Sequence, residues 1–356
     1  MIIKDITTER IQIPLKKPFK TALRTVRVME NIIVRITTDE DIIGYGAAAP
    51  TEVITGDTIG SIINGVDHIK SNLLGRNVED LEENLHILNN CLIGNTSAKA
   101  AIDIGLYDLY AKLYKAPLYK ILGNYKKTLH TDITISLNEA EEMARDSIEA
   151  INEGYKVLKI KVGKDGKKDL ERMKAIRQAV GKDIKLRVDA NQGWKPKEAI
   201  YAVNNMLDAG VDIEIVEQPV FAKDFKGMKM VTDNVPIPVL ADESVFSPED
   251  AMELINMRAA DMINIKLMKT GGIYNALKIV SIAESNGIEC MIGSMMESKI
   301  GVSAAAHLAG AKRTIIDVDL DVPLLCKEEP VNGGIIYNKS EITFNKEFGL
   351  GVIGLK

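Results

Sequence analysis

Eight polar or charged side chains recur from residue 130 onward, each at the end of a short apolar run. Successive members of this series are separated by 24 to 28 residues. Such spacing fits one strand and one helix per unit, and barrel enzymes built from these units keep their active sites at the carboxyl ends of the strands. Burying charged side chains is costly unless they serve a purpose. We therefore predict that the series forms one active site, and its members are Thr134, Lys161, Asp189, Glu217, Asp242, Lys266, Ser294 and Asp321.

Three carboxylates of the series follow consecutive runs, at Asp189, Glu217 and Asp242. Converging carboxylates repel one another strongly unless a cation lies among them. An all-oxygen ligand set without a nearby histidine or cysteine favours Mg²⁺, or Mn²⁺, over zinc. The chain contains only 4 histidines. Lysine and carboxylate are therefore the groups expected to transfer protons.

Two lysines, Lys161 and Lys266, end the second and sixth runs. Consecutive strands of an eight-stranded barrel advance by about 45°, so these lysines should face each other. Lys159 should point to the same side of its strand as Lys161. A metal between opposed lysines suggests abstraction of a proton next to a carboxylate, and the cation would stabilise the resulting enediolate. It would also lower a lysine pKa. One base is enough for an elimination reaction. Two bases on opposite faces can invert the configuration of a carbon. The second lysine can also act purely as a cation.

The apolar runs alternate with amphipathic stretches, which predicts a parallel β/α sheet closed into a barrel. An open, doubly wound sheet is the alternative. Before about residue 120 the pattern differs, with strands predicted over 2–14 and 31–43 and a turn at GYGAAAP. A helix predicted over 97–114 is stopped by Pro117 and Gly123. Strands followed by helices indicate a separate α+β domain.

The composition excludes several classes of protein. The chain of 356 residues is 46% hydrophobic and 27% charged, which is typical of a globular protein. Its net charge of −5 predicts no nucleic-acid or membrane partner and leaves a homo-oligomer open. Three cysteines without a Cys-x-x-Cys pair, and no signal-like start, predict a cytoplasmic protein with reduced thiols.

Six segments in this order resemble the muconate-lactonizing subgroup of the enolase superfamily: LKIKVG, RVDANQGW, IVEQP, ADES, NIKLMKTGG and GSMMESKIG. The resemblance implies an α+β capping domain over 1–124, a modified barrel of the (β/α)8 type, (β/α)7β, over 125–321, and a segment over 322–356 that returns to the cap. It implies that Lys161 and Lys266 are the acid/base pair and that Lys159 assists electrostatically. It also implies one Mg²⁺ per subunit, bound by Asp189, Glu217 and Asp242.

The end of the last run resembles the Asp-x-Asp of the dipeptide epimerases within this subgroup. Asp319 and Asp321 would pair with the α-ammonium of a dipeptide while the metal takes its carboxylate. The implied enzyme is an isomerase that inverts the α-carbon of the C-terminal residue of an L,L-dipeptide, of the Ala-Glu type or hydrophobic. Arg24 resembles an arginine that pairs with a glutamate side chain. Further substrate contacts are expected from Thr134, Ser294 and Met296.

Two alternatives remain open for the sequence. Another reaction of the same superfamily, N-acylamino acid racemisation or o-succinylbenzoate synthesis, would leave Asp319 and Asp321 without a cation to bind. A non-catalytic binding protein on a retained barrel would not need the two lysines and three acids.

Overall fold

A computed structural model describes residues 1–163 and 165–356. The chain begins with an antiparallel sheet in which the long first hairpin joins a third strand. One face of this sheet is apolar and buried, because every second residue of the strands points to the helices that follow. The turn at the tip of the hairpin, Thr21–Arg24, is closed by a backbone hydrogen bond of 3.0 Å. The strands are β1 (Ile3–Lys20), β2 (Thr25–Thr38) and β3 (Ile43–Ala48).

Four helices follow this sheet, and the first and third of them pack against its buried face. The third is buried nearly all round, because it packs against the sheet on one side and against the barrel on the other. It is rich in alanine, which permits such close packing. The helices are α1 (Ile59–Leu73), α2 (Leu81–Asn90), α3 (Thr96–Leu113) and α4 (Leu118–Leu122).

A short strand, β4 (Thr128–His130), then leads into eight parallel strands that are hydrogen-bonded in chain order. A parallel bridge between Thr131 and Val318 closes the sheet into a barrel. The strands read as apolar runs because helices cover their outer face and side chains fill the interior. They are β5 (Ile133–Ile135), β6 (Val157–Lys161), β7 (Lys185–Asp189), β8 (Ile213–Glu217), β9 (Val239–Ala241), β10 (Met262–Lys266), β11 (Glu289–Gly293) and β12 (Ile315–Asp319).

Helices connect successive strands of the barrel, and the connection after β10 contains a short extra helix. Several begin with a capping side chain, such as Asp165 or Ser247, which accepts hydrogen bonds from the first turn. The helices are α5 (Ala140–Asn152), α6 (Gly166–Val180), α7 (Pro196–Asp208), α8 (Phe225–Thr232), α9 (Pro248–Met257), α10 (Leu267–Thr270), α11 (Ile273–Ser285) and α12 (Lys299–Ala311).

The last part of the chain contacts both the barrel and the N-terminal helices. The N–H of Leu350 donates to Asp108 Oδ1 of α3 at 2.7 Å, and the N–H of Leu118 donates to the carbonyl of Gly349 at 2.8 Å. One of its strands pairs with β4. Its elements are α13 (Val322–Leu325), β13 (Val331–Gly333), β14 (Ile336–Asn338), β15 (Glu341–Thr343) and β16 (Val352–Leu355).

The predicted barrel is confirmed, and the open sheet is excluded by the bridge that closes it. One prediction was wrong: GYGAAAP is not a turn, because Ile43–Ala48 forms β3 and pairs with β2. Over residues 1–163 and 165–356, no helix combines the length and the apolar character needed to cross a bilayer.

Candidate active site

The carboxyl ends of the barrel strands converge on one region, and the register of the sheet explains why. Lys161 is paired with Asp189, and Asp189 with Glu217, across β6, β7 and β8. Paired residues of parallel strands lie at one level of a barrel, so their side chains meet above its centre. Asp242 directly follows β9, and Lys266 ends β10. All five side chains are buried.

The ammonium group of Lys159 lies at the centre of a cluster of acids. Its Nζ is 2.7 Å from Glu217 Oε2, 2.7 Å from Asp319 Oδ2 and 3.0 Å from Asp189 Oδ2. Burial lowers the pKa of Lys159, but the neighbouring carboxylates outweigh it and raise the pKa well above its ordinary value. Lys159 is therefore a fixed positive charge and not a proton acceptor.

Lys161 and Lys266 approach the same pocket from opposite sides of the barrel. Three strands separate β6 from β10 in either direction around the closed sheet. Lys161 Nζ donates to Asp189 Oδ2 at 2.6 Å, and Lys266 Nζ donates to Asp242 Oδ2 at 2.7 Å. Both lysines line the pocket. Each amine can therefore reach a molecule in the pocket from its own side.

The pKa of Lys266 is set by the acids that surround its amine. Burial lowers the pKa of Lys266, but the charges of Asp242 and Glu217 outweigh it and raise the pKa above its ordinary value. The lowering of a lysine pKa that the sequence predicts depends on a metal cation bound beside the lysine, and it stays a prediction.

The three predicted metal-binding acids lie in different electrostatic surroundings. Burial raises the pKa of Asp189, but Lys161 and Lys159 outweigh it and lower the pKa to about 2. For Glu217, burial and the charge of Asp189 raise the pKa. Glu217 Oε1 accepts a hydrogen bond from Asn264 Nδ2 at 2.8 Å. Their unequal pKa values reflect how many ammonium groups contact each acid.

Asp242 is held by a second buried lysine that the sequence analysis did not single out. Lys269 Nζ lies 2.7 Å from Asp242 Oδ1, without the geometry of a hydrogen bond, and donates to the carbonyl of Asn264 at 3.0 Å. Burial raises the pKa of Asp242, but Lys266 and Lys269 outweigh it, so the pKa lies below its ordinary value. Lys269 follows Lys266 by one helical turn, and that spacing is the signal that could have identified it.

The chemistry of the oxygens at this site fits a hard divalent cation. Asn191 Oδ1, Asp242 Oδ1 and Glu243 Oε2 are buried and accept no hydrogen bond in the described part of the chain. Oxygen-only donors are the ligands that Mg²⁺ prefers. In residues 1–163 and 165–356, no three His, Cys, Asp or Glu side chains converge closely enough to hold a metal ion. The acids are arranged around lysine ammonium groups, with which a metal ion would compete.

Asp319 and Asp321 lie on the wall of the pocket next to β5. Asp319 Oδ2 accepts a hydrogen bond from Lys159 Nζ, and Asp321 Oδ2 accepts one from the N–H of Thr134 at 2.7 Å. Burial, together with the charge of Asp319, raises the pKa of Asp321 to about 6. The pKa of Asp319 is lowered, because Lys159 and Lys161 outweigh the effect of burial. A negative wall of this kind suits a cationic group on a ligand.

The pocket at the barrel mouth takes in about 610 Å³ of space free of protein atoms, part of which is open to solvent. Asp189, Glu217 and Lys159 are not among its lining residues. The other predicted site residues all line it, and these are Arg24, Thr134, Lys161, Asp242, Lys266, Ser294, Met296, Asp319 and Asp321.

The N-terminal domain supplies one side of the pocket. Arg24, at the tip of the β1–β2 hairpin, lines it, and burial lowers its pKa despite the nearby charge of Glu52. Apolar side chains from the same domain also line the pocket, and the sequence analysis had not identified them. They are Phe19, Leu23, Val53 and Ile54.

Glu243 is a further pocket residue that sequence reasoning missed. Burial raises the pKa of Glu243 to about 8, and the charge of Asp242 adds to this effect. The sequence-based prediction placed only one active-site side chain at the end of each apolar run. Because β9 ends at Ala241, the strict alternation of a strand no longer applies, and the adjacent acids Asp242 and Glu243 both line the pocket. The pair of acids in ADES is the signal that could have identified it.

Comparison with known proteins places this geometry in a family. Residues 4–123 match the domain described as "Mandelate racemase / muconate lactonizing enzyme, N-terminal domain", and residues 142–353 match "Enolase C-terminal domain-like". The chain is 56% identical to the L-Ala-D/L-Glu epimerase of Clostridium acetobutylicum, over 100% of this chain and 99% of that protein.

Two solved structures show the same fold over their whole length. One is a substrate-liganded complex of the L-Ala-D/L-Glu epimerase from Bacillus subtilis, with a TM-score of 0.99, 51% identity and 100% of both chains covered. The other is the dipeptide epimerase from Enterococcus faecalis complexed with Mg and the dipeptide L-Leu-L-Tyr, with a TM-score of 0.96, 42% identity and 99% of both chains covered. The chain therefore belongs to the mandelate racemase / muconate lactonizing enzyme family of the enolase superfamily.

Proposed function

We propose that this protein is a Mg²⁺-dependent dipeptide epimerase, an isomerase that inverts the α-carbon of the C-terminal residue of an L,L-dipeptide. The observation that carries the proposal is the placement of Lys161 and Lys266 on opposite sides of one pocket whose wall holds Asp319 and Asp321. The full-length relatives named as dipeptide epimerases support it. The three unpaired cysteines support a cytoplasmic location.

Asp189, Glu217 and Asp242 would hold the Mg²⁺ ion. When bound, the ion supplies positive charge that offsets the charge of these acids and of the deprotonated substrate. The solved dipeptide epimerase complex with Mg supports Mg²⁺ as the ion. Lys159 adds a second, permanent positive charge beneath the pocket, because its ammonium group contacts Glu217 and Asp319.

The two lysines carry the proton. One neutral lysine amine takes the α-proton, which breaks the C–H bond and leaves a planar carbon. The ammonium group of the other lysine then donates a proton to the opposite face, and the configuration is inverted. Each amine is held by its own acid, Asp189 for Lys161 and Asp242 for Lys266, which fixes its approach to the substrate.

Asp319 and Asp321 select a substrate with a free amino group. A dipeptide whose C-terminal carboxylate points to the acid cluster would place its α-ammonium near these two carboxylates. An N-acylated amino acid offers no cation at this position. The buried acids would then face a neutral group at a cost in free energy, which disfavours N-acylamino acid racemisation and o-succinylbenzoate synthesis.

The N-terminal domain would contact the side chain of the dipeptide's C-terminal residue, whose α-carbon is inverted. Arg24 suits an acidic second residue such as glutamate. Leu23, Val53 and Ile54 line the same side of the pocket and favour a second candidate substrate, a hydrophobic dipeptide.

The test is α-proton exchange in D₂O. The Mg²⁺-loaded protein is incubated with a panel of free-amine dipeptides that includes L-Ala-L-Glu and L-Ala-L-Leu, and mass spectrometry measures α-deuterium. We expect exchange and epimerisation of at least one dipeptide, and none of its N-acetyl derivative. Lys161→Ala and Lys266→Ala should each abolish epimerisation while retaining exchange of one epimer. Absence of exchange on every free-amine dipeptide would contradict the proposal.

A further inference from the structure

A buried carboxylate in the middle of α3, Asp103, joins the capping domain to the barrel. Asp103 Oδ1 accepts a hydrogen bond from the N–H of Ile273 at 2.6 Å, and Asp103 Oδ2 accepts one from the N–H of Tyr274 at 3.2 Å. These residues begin α11, and the first N–H groups of a helix lack partners within the helix. The residue before α11 is Gly272, which has no side chain to cap it. Asp103, a residue of the N-terminal domain, therefore accepts the hydrogen bonds that cap the first turn of a barrel helix.

The contact between Asp103 and Gly272 is close. Gly272 has a φ of +120°, which glycine tolerates far better than other residues. A Cβ at this position would collide with the carboxylate of Asp103. Asp103 is completely buried, and burial raises its pKa to about 8. The carboxylate thus lies directly on the backbone of the segment that precedes α11.

That segment carries Lys266. Only five residues lie between Lys266 and Gly272, and four of them form α10, whose residues are all buried. The N–H of Gly272 donates to the carbonyl of Leu267 at 2.9 Å, which closes the segment on itself. Lys269, in the same helix, contacts Asp242, the acid that holds Lys266. A displacement of Gly272 would therefore be transmitted to Lys266 over a short, closed stretch of backbone.

The segment after Lys161 is anchored differently. The N–H of Gly163 donates to Asp169 Oδ2 at 3.0 Å, and Asp169 belongs to α6 of the barrel itself. The N–H of Val162 donates to the carbonyl of Asp189 at 2.9 Å. The two lysines therefore depend on different supports: Lys161 on a barrel acid, and Lys266 on an acid of the cap.

We propose that Asp103 is a positioning residue for Lys266, through which the docking of the cap sets how efficiently this lysine exchanges a proton with the substrate. The inference rests on the proposed two-lysine epimerisation. It predicts an asymmetric defect: loss of the Asp103 carboxylate impairs proton transfer by Lys266 and spares proton transfer by Lys161.

The experiment measures on which of its two faces the deprotonated α-carbon of the substrate receives its new proton. Mg²⁺-loaded wild type and Asp103→Asn are each incubated in D₂O with a single epimer of a dipeptide that the wild type converts. Chiral chromatography with mass spectrometry then gives initial deuterium incorporation into the recovered epimer and into its product. Lys161→Ala and Lys266→Ala identify which lysine deprotonates which epimer.

For the epimer that Lys161 deprotonates, Asp103→Asn should raise the ratio of deuterium in recovered substrate to deuterium in product by about tenfold, since small misplacements of a reacting group cost about that much or more. Lys161 then returns deuterium to the same face before Lys266 can donate. Asp169→Asn is the matched control, and it should shift the partition in the opposite direction, towards Lys266.

An equal loss of both deuterium signals, with an unchanged ratio, would overturn the role of Asp103, because general loosening of the fold affects both lysines alike. Gly272→Ala, which displaces the carboxylate without removing it, must give the same shift as Asp103→Asn; it also serves if the Asp103 variant does not fold. A wild type that exchanges no α-proton would overturn the proposed function and this inference together. If the wild type epimerises its substrate but Asp103→Asn and Gly272→Ala leave the ratio of deuterium in substrate to deuterium in product unchanged, only this inference is overturned.

Discussion

Gly293 of β11 packs against the side chain of Lys266 on the neighbouring strand. A Cβ at Gly293 would lie 3.0 Å from Lys266 Cε and 3.1 Å from Asn264 Oδ1. Contacts this short require the neighbour to move, and the lysine side chain is the more flexible of the two. The absence of a side chain at residue 293 therefore helps to define where the Lys266 amine lies.

Gly293→Ala should lower kcat for epimerisation by about tenfold, because a shift of a few tenths of an ångström misaligns Lys266 with the α-carbon. KM should change little, since the groups proposed to bind the substrate are untouched. Steady-state kinetics by polarimetry check this. Gly60→Ala, at an open position in α1, is the control and should leave kcat unchanged. Unaltered kcat in Gly293→Ala would show that the lysine accommodates the methyl group.

Asp321→Asn should raise KM for free-amine dipeptides by about tenfold to a hundredfold, because a charged hydrogen bond to the ammonium group contributes about 1.5–3 kcal/mol. Asp321 is a cleaner test than Asp319, whose carboxylate also contacts Lys159. The wild type should show the same effect on acidification. The pKa of Asp321 is about 6 and the carboxylate binds the cation only when ionised, so KM should rise as the pH falls through that value. A KM that does not depend on pH between 5 and 8 would contradict this role.

Arg24→Ala should weaken the use of L-Ala-L-Glu selectively. Loss of a charged partner for the glutamate side chain should reduce kcat/KM by about tenfold to a hundredfold, whereas kcat/KM for L-Ala-L-Leu should stay within about twofold. Competition between the two dipeptides in one reaction gives this ratio directly. Equal losses on both substrates would refute the idea that Arg24 binds a carboxylate and would favour a structural role at the hairpin tip.

The pH dependence of stability should report on His307. This residue of α12 is buried against Tyr119 of α4 and Phe344 of the C-terminal segment, and burial lowers its pKa to about 3. Its Nδ1 accepts a hydrogen bond from the N–H of Tyr119 at 3.0 Å. The folded protein therefore keeps His307 neutral, while the unfolded chain protonates it below about pH 6.5. The resulting stability is fully present above pH 6.5 and is lost as the pH falls.

Urea unfolding at pH 7.5 and pH 5.5 measures this effect. Because the lower pH is one unit below the unfolded pKa, His307 should cost the wild type about 1.4 kcal/mol of unfolding free energy. In His307→Gln, the difference between the two pH values should be smaller by about that amount. An identical difference in both proteins would show that His307 titrates equally in the folded and unfolded states.

The sequence was most informative where one pattern repeats. Lys161, Asp189, Glu217 and Lys266 each end an apolar run at nearly constant spacing, and the structure places them at the carboxyl ends of neighbouring or opposite strands. The pattern is strong because each parallel strand is apolar until it reaches the barrel mouth. Polar residues at that point stand out from their surroundings.

Features that depend on contacts between distant elements could not be predicted. β3 contains Gly44 and Gly46, which suggest a turn, but both glycines are needed because α3 lies directly against the strand; a Cβ at Gly46 would collide with the carbonyl of Ala101. Strand β4 has three residues and forms only by pairing with β15, more than 200 residues later. The raised pKa of Lys266 likewise depends on which acid it contacts.

Eight buried, charged side chains in and beneath the pocket carry four positive and four negative charges. The lysines are Lys159, Lys161, Lys266 and Lys269, and the acids that they contact are Asp189, Glu217, Asp242 and Asp319. In many small metalloproteins the ion is required for folding, because the ligands otherwise repel one another. Here each of these four acids already has a lysine partner within the chain. The barrel can therefore assemble first and take up its ion afterwards, so that metal supply governs activity while the lifetime of the protein is set by its apolar core.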